Sequence, residues 1–157
     1  TSFYYHATLT FGGQFLDIFS MYTFGLLLLF GGLYRSGRMS GRASIVWFVA
    51  ASVLLALLQF YFPDARRILF VLVLLPGIIL ELTPLVTGQR PTSPKVKFVY
   101  IGLAILLLAY AIWLLDQNRI VCSPDSLIQG HAIWHALTAI ASYMILLHYQ
   151  RTPHAIR

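Results

Sequence analysis

Long apolar runs alternate with short polar stretches along most of this chain. Hydrophobic side chains dominate residues 15–34, 43–62, 67–86, 98–115 and 131–149. A run of about 20 such residues spans the ~30 Å of a bilayer's hydrocarbon core as an α-helix, which satisfies its own backbone hydrogen bonds there. The pattern predicts an all-α, polytopic helical bundle with five full transmembrane helices in one integral-membrane domain over residues 1–157. The first run lacks the charged n-region and small-residue cleavage site of a signal peptide.

Residues 1–14 precede the first span and read as a helix stub entering a tight connection, with Gly12-Gly13 as the expected break. Gly31-Gly32 and Ser36-Gly37 are expected to end the first span, and Pro63-Asp64 to make a short turn. Pro76 and Pro84 should loosen or kink the third span, because each removes a ladder donor. The chain opens at Thr1 with no Met, and a stub ahead of complete spans is expected of an N-terminally truncated chain.

Composition reinforces the membrane assignment. Of 157 residues, 59% are hydrophobic and 10% charged, with a mean hydropathy of +0.77; soluble domains average about 25% charged residues. A net charge of +6 would suggest nucleic acid for a soluble protein, but here the cations occupy short loops. Arg35, Arg38, Arg42, Arg90, Lys95, Lys97, Arg151 and Arg157 follow the first, third and fifth spans, whereas Arg66, Arg67 and Arg119 lie on the opposite side. The positive-inside rule then makes the C-terminus cytoplasmic and starts the first span on the outer (periplasmic, extracellular or lumenal) face. Neither a nucleic-acid nor a protein partner is implied. Cys122 is the only cysteine, so no disulfide forms within the chain; it falls in an outer loop, where a free or buried thiol and an oxidised one are both open.

Polar residues inside the oily runs carry the chemistry. His131 and His135 stand four apart at the start of the last span, so one helical face presents both imidazoles. This spacing serves metal or haem. A third ligand has to come from elsewhere, and His6 is the best candidate. The first and fifth spans start on the same side, so His6, Asp17, His131 and His135 all belong to the outer end. Three imidazoles leave zinc one open position, the arrangement of catalytic sites, where bound water becomes acidic enough to supply hydroxide near neutral pH. Asp17 could act as general base, and Ser2, four before His6, could donate to an oxyanion. The expected chemistry is hydrolysis of an acyl bond in a bilayer lipid. Taken singly, His6 also fits interfacial packing and Asp17 a helix–helix hydrogen bond. Glu81 reads as structural or snorkelling, and His148 and His154 as interfacial. Trp47, Trp113 and Trp134 lie near span ends, as aromatic belts do.

Two segments resemble the alkaline ceramidases. Ser2-Phe-Tyr-Tyr-His6-Ala-Thr-Leu-Thr, followed by Gly13-Gln14-Phe-Leu-Asp17, resembles that family's Ser-x-x-x-His-Ala-Thr-Leu…Gln-x-x-Asp segment. Gln129-Gly130-His131-Ala132-Ile133-Trp134-His135-Ala136-Leu137 is similar to the Gly-His-Ala-x-Trp-His motif of its last helix. The resemblance implies a seven-helix membrane amidase that cleaves the N-acyl bond of ceramide, or a related N-acyl lipid, into a fatty acid and a sphingoid base. It implies His6, His131 and His135 as Zn2+ ligands, Asp17 beside the metal-bound water and Ser2 hydrogen-bonded in the site. The family's first helix and most of its second, with the calcium-binding stretch of eukaryotic members, have no counterpart here. Cys122 lies in the loop where members often carry a cysteine paired with the N-terminal region. The wider superfamily includes the progestin and adiponectin receptors, so a lipid-sensing membrane protein with the same zinc site is the alternative. A haem-binding electron carrier is a third reading, with a Soret band as its signature.

Overall fold

The computed structural model describes residues 2–86, 96–120 and 129–151, and every regular element among them is helical. The helices are α1 (Ser2–Thr8), α2 (Phe11–Arg35), α3 (Gly41–Tyr61), α4 (Arg66–Val86), α5 (Val96–Gln117) and α6 (Gly130–Arg151), with a single 3-10 turn at Pro63–Ala65. Helices α2 to α6 are each long and apolar enough to cross a membrane, which identifies a multi-pass integral membrane protein. Their centres match the five apolar runs, and the short α1 takes the place of the stub. The cationic loop residues Arg90, Lys95 and Arg157, together with Cys122 and His154, lie outside the described residues.

The chain forms two compact units, residues 1–88 with α1 to α4 and residues 89–157 with α5 and α6. In the first, α2 is central and α3 and α4 pack against it. Its core is Tyr22, Leu26, Leu55 and Phe70, flanked by Ile18, Phe48, Leu69 and Leu74. Small residues let α2 and α4 approach closely. A Cβ on Gly77 would stand 2.8 Å from the Leu28 Cβ, and one on Gly25 would stand 3.0 Å from Val73. Helices packing in lipid gain mainly from such van der Waals contact. On the outward face of α3, Val46, Val49, Val53, Leu54 and Leu57 are exposed, which suits hydrocarbon and would drive association in water.

Polar contacts brace both ends of this unit. Where α2 begins, Gln59 Nε2 of α3 donates to the Phe15 carbonyl at 3.1 Å, and the Tyr22 hydroxyl donates to the Arg66 carbonyl at 3.0 Å. Where α2 ends, the Arg35 guanidinium pairs with the buried Glu81 carboxylate of α4. Glu81 is therefore structural, neutralised by a neighbouring helix.

One boundary differs from expectation. Gly31 and Gly32 continue α2; Gly37 alone ends it, at φ +70°, with Arg38 N donating to Leu33 O and Gly37 N to Tyr34 O. That is a Schellman motif, and it suits a residue without Cβ. Pro76 and Pro84 both lie inside α4, which stays helical through them. Neighbouring helices tolerate the missing donors.

The second unit pairs α5 with α6. A Cβ on Gly102 would stand 2.8 Å from Ile145 and 3.0 Å from the Ala141 carbonyl, so the helices touch backbone to side chain there. Toward the start of α6, Tyr110, Trp113 and Trp134 form an aromatic cluster with ring centroids 5.6–6.2 Å apart. Trp134 is thus buried against α5, while Trp47 is exposed as a belt residue would be. His148 is also buried, beside the ring of Tyr149, because it follows the face of α6 that carries Ala141 and Ile145.

Candidate metal centre

Helix α6 opens on the residues that would ligate a metal. Gln129 O accepts from Ala132 N at 3.0 Å and Ile133 N at 3.1 Å, closing the first turn around Gly130. Gly130 lies so near α5 that a Cβ would stand 2.7 Å from the Asp116 Cβ and 3.0 Å from its Oδ1. The Asp116 carboxylate therefore sits at the positive end of the α6 dipole, where an anion is favoured. This close approach fixes the depth at which His131 and His135 begin.

The two imidazoles converge. Their Nε2 atoms are 3.0 Å apart and their ring planes cross at 82°. Two nitrogens bound to one tetrahedral zinc at about 2.05 Å each would be about 3.3 Å apart, so the pair already has nearly the separation of a chelate. Both residues are half-buried. One turn below, Thr138 Oγ1 donates to the Trp134 and His135 carbonyls at 2.9 and 3.1 Å, and Ser142 Oγ donates to Thr138 O at 2.8 Å. These bonds satisfy hydroxyls that would otherwise be unmet in hydrocarbon. His131 and His135 can hold a metal ion together.

Ser2, His6 and Asp17 belong to the first unit. Ser2 and His6 are both in α1 and four apart, so they share its face as expected; Ser2 is half-buried and His6 exposed. The break after α1 is not at Gly12-Gly13. It falls at Leu9, at φ +50°, with Leu9 N donating to Tyr5 O at 2.7 Å. Thr8 Oγ1 donates to Tyr4 O at 2.8 Å and lies 3.1 Å from Thr10 Oγ1, which in turn accepts from Gly13 N at 3.1 Å as the N-cap of α2. Threonines make this elbow because their hydroxyls serve free backbone groups at helix ends. Gly13 makes room for α1 instead. A Cβ there would stand 3.0 Å from the Tyr5 Cα, so only a residue without one admits that backbone. Asp17, half-buried, follows Gly13 by one turn on the same face of α2, beneath the place where α1 rests.

Sequence reasoning missed the residues that hold α1. Gln14 Nε2 donates to the Tyr5 hydroxyl at 3.1 Å, and Arg66 Nη1 donates to Gln14 Oε1 at 3.3 Å. The signal for Gln14 was its place in the Gln-x-x-Asp segment; nothing local marked Tyr5 or Arg66.

Among known proteins, the family model described as Ceramidase matches residues 1–155 of this chain. A Dictyostelium discoideum protein named "Putative alkaline ceramidase dcd3B" is 37% identical over 60 residues, which cover 36% of this chain and 20% of that protein. The match thus spans about a fifth of the relative's length. No solved structure matches.

Proposed function

The chain belongs to the Ceramidase family, and from that premise we propose that it is a zinc-dependent intramembrane amidase acting on ceramide or a related N-acyl lipid. The observation that carries this reading is the convergence of His131 and His135 Nε2 to 3.0 Å inside a chain of that family. His6 supplies the third imidazole, and the donor set of three neutral nitrogens with an open fourth position suits catalytic zinc. Zinc, when bound, polarises an acyl carbonyl and acidifies water.

The protein's own groups do the rest. The Asp17 carboxylate takes a proton from the attacking water and delivers it to the leaving amine nitrogen, as a general base that turns acid. The Ser2 hydroxyl donates a hydrogen bond to the acyl oxygen as charge develops on it. The C–N bond breaks, giving a fatty acid and a sphingoid base, and the apolar helices admit the acyl chain laterally. In this reading the chain is part of one seven-helix membrane domain, with a cytoplasmic C-terminus and the site toward the outer face, where the loops carry fewer cations.

The test is fatty-acid release from a panel of N-acyl lipids, followed by mass spectrometry, for the full-length protein beside Asp17→Ala. Release from ceramide that disappears in the variant, with zinc retained, supports the amidase. Normal turnover by Asp17→Ala removes that residue from the mechanism. Zinc binding without release from any lipid favours a lipid sensor of the progestin and adiponectin receptor type.

A further inference from the structure

We infer that Gln14, bridging Tyr5 and Arg66, is a positioning residue that sets the orientation of His6 and thereby the affinity of the metal centre proposed above, on which this inference rests. Helix α1 has only seven residues and none of them is buried. A helix this short is not stable by itself; its Tyr5 backbone rests on α2 at Gly13, and with no fully buried side chain that single close contact leaves its rotation to be fixed by side-chain bonds. At the C-terminal end of α1 the chain passes into α2 through Leu9 and Thr10, which form a pivot. A second point of attachment is needed to stop rotation about that pivot, and the Tyr5–Gln14 hydrogen bond is placed to provide it.

The bond is suited to the role by what lies behind it. The Arg66 guanidinium donates to Gln14 Oε1 while Gln14 Nε2 donates to Tyr5, so the amide has one favoured orientation: a flip would set its NH2 group against the guanidinium, which can only donate. Arg66 opens α4, and its own carbonyl accepts from the Tyr22 hydroxyl of α2 at 3.0 Å. The chain of bonds therefore anchors α1 to the packed pair α2 and α4. Tyr5 precedes His6 directly, and the two ring centroids are 5.0 Å apart, so fixing the Tyr5 ring constrains the imidazole beside it. Tyr5, Gln14 and Arg66 are all half-buried, where an amide left without partners carries a desolvation penalty.

Zinc affinity, read by competition with a chromogenic chelator on purified protein, tests this without reference to turnover. Groups supporting metal ligands typically contribute 10–100-fold in affinity, so Tyr5→Phe and Gln14→Leu should each weaken zinc binding by about tenfold or more, and the double variant by little more than either. Gln14→Glu should stay within about threefold of wild type, since its carboxylate accepts from both Arg66 and the Tyr5 hydroxyl. The melting temperature of the zinc-free protein reports any loss of stability separately: Tyr5→Phe should weaken zinc binding more than a control substitution on α3 that lowers that temperature equally, and equal losses would mean that the hydroxyl merely stabilises the fold. Wild-type affinity in Tyr5→Phe overturns the inference, whatever Gln14→Leu does, and leaves the metal centre standing. A wild-type protein that retains no zinc overturns the metal centre and this inference with it.

Discussion

His131 and His135 bring their Nε2 atoms to 3.0 Å, a separation that two neutral imidazoles hold best with a shared proton or a shared cation between them. Replacing either removes the chelate. His135→Ala should abolish zinc retention through purification, measured by plasma mass spectrometry, while Asp17→Ala retains it. Acidification should strip wild-type zinc, because protonated imidazoles cannot ligate, and restoring neutral pH with added zinc should recover it.

Gly13 is predicted to be sensitive to a single methyl group. The atom nearest to an added Cβ is the Tyr5 Cα at 3.0 Å, with the Thr10 and Thr8 hydroxyls at 3.1 and 3.3 Å. Backbone cannot rotate out of the way, so Gly13→Ala should tilt α1 away from α2 and lower zinc affinity as well as turnover. Gly12, which has nothing within 4 Å of an added Cβ, is the control: Gly12→Ala should leave both unchanged.

At the start of α6, Gly130→Ala would place a methyl 2.7 Å from the Asp116 Cβ. Overpacking of this kind typically costs about 1–3 kcal/mol. A lowered melting temperature in detergent is expected, and adding Asp116→Gly should recover part of the loss by vacating the contact. No change in Gly130→Ala would mean that α5 and α6 separate freely there.

Arg35 and Glu81 form a pair whose carboxylate is buried. Removing one partner of a buried pair costs about 3–5 kcal/mol, whereas replacing both with apolar groups is often near neutral. Arg35→Leu, which leaves the buried Glu81 carboxylate unpaired, should therefore destabilise the protein more than Arg35→Leu with Glu81→Leu together. A double-mutant cycle by thermal unfolding measures the difference, and simple additivity would refute the coupling.

What the chain determines locally was legible in its sequence. Apolar runs near residues 15–34, 43–62, 67–86, 98–115 and 131–149 had to be helices, because no other segment satisfies its backbone in hydrocarbon. The His131–His135 juxtaposition follows from the four-residue spacing along one helix. What depended on contacts between helices was not legible. Gly13 reads as a break, yet it lies inside α2 and is needed because the Tyr5 backbone touches it. Trp134 reads as a belt residue, yet it packs against Tyr110 and Trp113. Gln14 joins Tyr5 to Arg66, a partner 52 residues away. Periodicity reports which face of a helix is apolar, but not which neighbour covers that face or how closely. Only the tertiary structure decides that, because close approach and long-range hydrogen bonds depend on several helices at once.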